Sequence, residues 1–424
     1  MRGYSLAVQT DRHFMRAGWF GALMLLGIGA SAATDPYYDA AFHVEIQPRR
    51  ATLQVTLTLS GDRLPSRVDL HIDPQRHRAF ASKLPVSQKG DVVTWLPSGQ
   101  QARLSYEFVA THERSPRRYD SLVTDDWAIF RADKMTPRMA VTAPPSLTAR
   151  STLGLALPQG WSVATPYPEQ CGVFKVDNPR RRFDRPEGWV VAGKLGKRSE
   201  IIADIQTIVA APEGEAARRQ DMLAFLNWNL PHLKEVFPQF PKRLLVVTAG
   251  DPMWRGGLSG PGSLFLHSAR PLISENRTST LLHEIVHVAM GIRGDEESDW
   301  IVEGFAEYYS LEILRRSGGI GSNRYEEAMP RLTRWARQAP SVFTHESSGA
   351  NTARAVIALR EADAEIRQAS GGRASLDDVA AALANERGEV SLERLQEEAR
   401  KAAGRNLQSL ERRRRSALPR QPVP

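Results

Sequence analysis

Residues 280 to 291 read TLLHEIVHVAMG, and the fold turns on how that stretch is read. Leu282, Ile285, Val286 and Ala289 recur at the spacing of one helical face, so residues 279–290 are predicted to be a helix. Thr278 or Ser279 can cap its start, and Gly291 can end it. Residues four apart on a helix lie one above the other. His283 and His287 can therefore aim both imidazoles at one point, with Glu284 rotated to one side. A catalytic zinc requires two such nitrogen ligands and a nearby carboxylate that takes a proton from water.

Two histidines need a third ligand, and residues 298–313, SDWIVEGFAEYYSLEI, offer candidates. Trp300, Gly304, Glu307, Leu311 and Leu314 lie along one stripe of a second predicted helix, ended by Gly318 and Gly319. Glu303 and Glu307 are again four apart on one face. Two histidines and one glutamate with an open fourth position form a known catalytic zinc arrangement, which makes Glu303 the expected third ligand. Glu307 is the candidate for orienting a ligating histidine from behind. Gly304 costs about 1 kcal/mol in a helix interior relative to alanine, and a close approach to the first helix would explain it.

Outward from this helix pair the hydrophobic period changes. From about Asp35 to Ala211 it is two: Phe42, Val44 and Ile46 alternate with polar residues, as do Leu53, Val55, Leu57 and Leu59. Leu104, Tyr106 and Phe108 repeat the pattern, and so do Leu153, Leu155 and Leu157. Short alternating runs punctuated by turn signals predict an antiparallel, sandwich-like region. His43, His71, His77 and His112 are scattered through it without ligand spacing. After residue 211 come a helix or two interrupted at Pro231, the buried strands RLLVVTAG and GSLFLHS, and then mostly helix. Strands followed by helices indicate an α+β fold. The expected organisation is therefore a β-rich domain over 34–211 and a helical domain over 212–404, with a basic tail over 405–424.

Residues 1–33 are expected to be an export signal. Arg12 and Arg16 precede the apolar run AGWFGALMLLGIGA, and SAATDP supplies a small-residue cleavage site. An uncleaved anchor is the alternative, and it and the basic tail are the two routes by which the chain would touch a membrane. Export points to a periplasmic or secreted protein. The single cysteine, Cys171, excludes an intrachain disulfide, so the core and any metal must hold the fold. The formal charge of +8 falls to about +6 without the leader, and ERRRRS at 411–416 carries part of it. With no zinc knuckle, RNA-binding signature or basic–aromatic stripe, nucleic acid is not an expected partner.

HEIVH followed by WIVEGFAEYY resembles the gluzincin metallopeptidases, in particular the alanyl-type and glycyl-type aminopeptidases. The resemblance is specific over residues 280–311 and loose elsewhere. It implies a thermolysin-like helical domain behind the β-rich one, and zinc held by His283, His287 and Glu303. It further implies that Glu284 activates water for attack on a peptide or protein substrate. The spacer VAMGIRGDEESDWIV is shorter than in the alanyl-type enzymes.

Upstream, MWRGGLSGPGSLFLHS resembles the strand these families run along their substrate, which implies substrate-binding roles for Gly257, Leu258 and Ser259. Ser259 stands where the families' glutamate grips a free α-amine, and a serine cannot pair ionically with an ammonium. The families also use a downstream tyrosine as oxyanion donor. Thr352 falls about where it would sit, leaving Tyr325, His345 or Arg354 as substitutes. The sequence thus predicts an exported, aminopeptidase-like zinc metallopeptidase. The alternative is a zinc-binding scaffold of the same fold with weak or no turnover.

Overall fold

The alternating residues of the first region form strands. In the computed structural model, which describes residues 36–178 and 183–411, β1 (Tyr37–Gln47) buries Phe42, Val44 and Ile46. β2 (Thr52–Ser60) buries Leu53, Val55, Leu57 and Leu59, and β3 (Gln101–Val109) buries Leu104, Tyr106 and Phe108. Each such side chain taken from water contributes roughly 1.5–3 kcal/mol, enough to fix the register of a strand with one wet face. β4 (Trp127–Arg131) lies in a second sheet, while β5 (Thr148–Ala156) returns to the first, beside β1. The β1–β5 pair is parallel, from Tyr37 opposite Thr148 to Glu45 opposite Ala156. The purely antiparallel expectation is corrected there: a strand arriving after so long a connection is free to enter in either direction. A seven-stranded sheet, a four-stranded sheet and the five-stranded sheet of β4 and β6 (Trp189–Gly193) enclose one core.

The helical region is built on another five-stranded sheet. Its strands are β7 (Leu195–Ile202), β8 (Ile205–Pro212), β9 (Arg243–Ala249), β10 (Gly257–Gly260) and β11 (Ser263–His267), in the order β7-β8-β9-β11-β10. The β7–β8 hairpin ends at Pro212, so this sheet takes nearly all of two strands from the segment whose period reads as the first domain. Period identifies a strand but not the sheet it joins. Ile129, Trp189 and Val191 from β4 and β6 pack with Leu245, Val247 and Phe265 in a third core that ties the two regions together.

The helices of this region are α1 (Arg219–Val236), α2 (Thr280–Met290), α3 (Asp299–Arg316), α4 (Ser322–Ala336), α5 (Ala350–Ser370), α6 (Leu376–Glu386) and α7 (Leu392–Ala403). α1 continues through Pro231 as one helix. No helix among the described residues is long and apolar enough to cross a membrane. The chain stays packed past residue 404, with Leu407 and Leu410 buried, so the expected tail does not begin at 405. The leader and the rest of the tail lie outside the described residues, and Cys171 is exposed and free.

Candidate metal centre

α2 forms for the reasons its sequence gives. Ser279 Oγ accepts from the Leu282 amide, and Gly291 ends the helix in the left-handed region at φ 58°. Its apolar face, including Leu282, Ile285, Val286 and Ala289, is buried. That burial leaves His283 and His287 facing α3 and brings Glu284 against β10.

Three side chains converge. His283 Nε2 and His287 Nε2 are 3.1 Å apart. Glu303 Oε2 is 3.2 Å from His283 Nε2, and Glu303 Oε1 is 3.4 Å from His287 Nε2. Four ligands at zinc–nitrogen and zinc–oxygen lengths of about 2.0–2.1 Å make a tetrahedron with edges of about 3.3 Å. The His–His separation and the distance from each histidine to its nearer Glu303 oxygen are close to that edge, and among the described residues this is the one cluster of three such groups. These side chains are mostly buried, the most exposed being Glu303 at 27%. Burial opposes ionisation of Glu303, yet hydrogen bonds from both histidines hold its carboxyl well below the usual carboxylate range. Burial pulls His283 down, but its bonds to Glu303 and Glu307 outweigh that and raise it well above the ordinary imidazole value.

Glu307 lies behind the triangle. Its Oε2 is 3.1 Å from His283 Nδ1, so a proton held on that nitrogen would leave Nε2 to face a metal in place of its bond to Glu303. Glu284 is buried and makes no hydrogen bond to any described residue. It lies against Gly257: a Cβ there would sit 2.6 Å from Glu284 Oε1 and 2.8 Å from Cδ. Gly257 is thus a space-making residue for Glu284, which the sequence did not indicate. Gly304 makes room elsewhere. A Cβ on it would meet Ala355 Cβ at 2.8 Å, so the close approach is to α5 and not to α2. Asp299, also unflagged by the sequence, accepts the Ser347 amide at 2.6 Å, and burial followed by the charge on Glu303 pushes its carboxyl up.

β10 is an edge strand, paired antiparallel with β11. Leu258 O accepts from Trp189 Nε1 at 2.9 Å and Ser259 O from Arg131 Nη1 at 3.1 Å. The expected oxyanion donors are dispersed. Tyr325 lines a cleft of about 590 Å³ with Tyr308, Glu312 and Asp377, which none of the three converging residues borders. Arg354 donates to Ala339 O, His345 is exposed on the segment held by Asp299, and Thr352 is half-buried on α5.

No protein family's sequence profile matches the chain, and no curated protein matches it in sequence. Solved structures do match in fold. An aminopeptidase N family protein from Idiomarina loihiensis superposes with a TM-score of 0.64 at 17% identity, over 82% of this chain and 70% of that one. An M1 zinc metallopeptidase from Deinococcus radiodurans superposes with a TM-score of 0.58 at 16% identity, over 92% of this chain and 94% of that one. The fold, a β-rich N-terminal region followed by a helical part, is the one those metallopeptidases have.

Proposed function

We propose that this chain is an exported zinc-dependent peptide hydrolase. The observation that carries the reading is the cluster of His283, His287 and Glu303, with Glu284 beside it and making no hydrogen bond among the described residues. The donor set suits zinc: two imidazoles and one carboxylate within reach of one ion, with Glu307 placed to fix the tautomer of His283. Zinc bound there would polarise a peptide carbonyl and make a water molecule acidic enough to lose a proton near neutral pH. Glu284 would take that proton on its carboxylate and pass it to the departing amine. β10 would align an extended substrate along its open edge, by main-chain hydrogen bonds at Gly257 and Ser259, with Leu258 between them turned to β11. Export rests on the leader-like residues 1–33 alone.

A second reading, a zinc-binding scaffold without turnover, is favoured by the tyrosines. Tyr308 and Tyr325 line the cleft on the other side of α3, and the Tyr309 hydroxyl donates to Asp377 at 2.9 Å. Losing one oxyanion donor costs about 10²–10³ in rate. The purified protein, assayed with a broad peptide library beside Glu284→Gln, separates the two. The hydrolase reading expects about one zinc per chain in both proteins and a loss of about 10²–10⁴ in kcat for the variant. Zinc without cleavage of any peptide selects the scaffold, and equal turnover by the variant removes Glu284 as the base.

A further inference from the structure

The open edge of β10 is short, and a cation closes it. The His267 amide donates to Gly256 O at 3.0 Å, which sets the phase of the β10–β11 ladder. By the alternation of antiparallel bonding, Gly257 and Ser259 then turn their N–H and C=O groups to the outer edge. Ser259's outward carbonyl is already occupied by Arg131 Nη1, which reaches it from β4. Among the described residues Gly257 and the Ser259 N–H remain as the open part of the ladder, and Ser259 lies about 7 Å further along at strand rise. A peptide paired at Gly257, next to Glu284, would meet Arg131 about two residues on.

The groups at that position are donors. Asp133 receives Arg131 Nε at 3.1 Å and Nη2 at 2.8 Å, and its Oδ1 also accepts the Gly188 amide. Both of its oxygens are thereby engaged. The Leu258 and Ser259 carbonyls are taken as well. Of the five guanidinium N–H groups, two go to Asp133 and one to Ser259, which among the described residues leaves one on each terminal nitrogen of a side chain that is 27% exposed. The Ser259 hydroxyl is the one further polar side-chain group of β10. Among the described residues, the carboxylate shown at this position, Asp133, is already engaged, so an α-ammonium arriving here has three donors with none free to receive them, whereas an acceptor oxygen meets a fork held in place by Asp133.

We propose that Arg131 sets the substrate class at this edge, selecting peptides whose end presents an acceptor oxygen there, an acyl cap or a carboxylate, over those ending in a free α-ammonium. This rests on the peptide-hydrolase reading. The test uses one core peptide with its N-terminus free, acetylated or succinylated, and with its C-terminus free or amidated. Cleavage by the zinc-loaded wild type gives kcat/KM, and calorimetric binding to Glu284→Gln gives the same ranking without turnover.

An acceptor-bearing end should be favoured about tenfold or more over its counterpart. Arg131→Gln should bring the preference within about threefold, and Arg131→Lys should retain part of any succinyl or carboxylate preference. Preference for the acetylated over the free amine identifies the acyl cap. Preference only for succinyl, or for the free over the amidated C-terminus, identifies the carboxylate. A wild type that favours the free amine, or a preference untouched by Arg131→Gln in a protein that still binds zinc and melts cooperatively, overturns the proposal while leaving the hydrolase reading intact. Ranked binding to Glu284→Gln with no cleavage by wild type does the reverse, and a protein that binds none of the peptides overturns both.

Discussion

α3 presents carboxylates on two faces, and the two faces treat them differently. Toward α2, Glu303 and Glu307 meet only imidazoles: Glu303 contacts His283 and His287, and Glu307 contacts His283. Among the described residues neither glutamate pairs with an arginine or lysine. On the other face, Glu312 accepts from Arg315 and Arg316, and Arg316 makes two further bonds to Asp377 at 2.8 and 3.0 Å. A guanidinium keeps its proton and offers no lone pair, so a carboxylate held by arginine is committed to structure. An imidazole can give up a proton and present a lone pair, so a carboxylate facing histidines can share a cation with them. The partner, rather than the carboxylate, distinguishes a metal site from a structural ion pair.

The largest expected effect breaks the metal face alone. His287→Ala and Glu303→Ala should each lose bound zinc on dialysis, while Glu312→Ala keeps about one zinc per chain by elemental analysis. Full zinc in Glu303→Ala would remove it from the ligand set and collapse the distinction between the faces. Next in size is Gly257→Ala, which places a methyl against Glu284 without touching a proposed ligand. Zinc content should hold while turnover falls, by up to about 10²-fold for a displacement near 1 Å. Unchanged kcat would mean that Glu284 does not act from the position described. Glu307→Gln should keep the fold and weaken zinc affinity about 10–100-fold, measured by chelator competition. An unchanged affinity would make Glu307 a bystander.

Which of these residues the sequence reveals depends on how local their relations are. His283, Glu284 and His287 are four residues or fewer apart on one helix, so periodicity and capping residues alone define their geometry. Glu303 and Glu307 are legible for the same reason once a second helix is read. The room that Gly257 gives Glu284 depends on α2 crossing β10, and nothing in local spacing signals it. Arg131 is 128 residues from Ser259 in sequence and looks like one more alternating strand position. The neighbour of Gly304 is Ala355 on α5 and not α2, since a glycine on a helix signals close approach without saying to what. The same limit hid the parallel β1–β5 pair and the transfer of the β7–β8 hairpin to the second sheet, since an alternating strand carries no mark of its partner.

The smallest effect tests the other face. Asp377→Asn keeps the size of the side chain and an oxygen for the Tyr309 hydroxyl but removes the charge that Arg316 faces. Arg316 retains Glu312, so the loss is partial, and the Asp377 side chain is about a third exposed, which screens it further. Asp377 also lies in the first turn of α6, where a negative charge favours the helix by about 0.3–1 kcal/mol. A charge-assisted hydrogen bond is worth about 1.5–3 kcal/mol. Together these lead to an expected destabilisation of about 1–3 kcal/mol, read as a lower urea midpoint at unchanged slope. Zinc stoichiometry and the rate of any peptide cleavage should not move, because no contact of Asp377 reaches Glu303 or Glu307. A variant that unfolds more easily and also loses zinc affinity in the native state would show that the two faces of α3 are coupled through the helix. The arginine-held carboxylates would then belong to the positioning of the metal site and not to the fold alone.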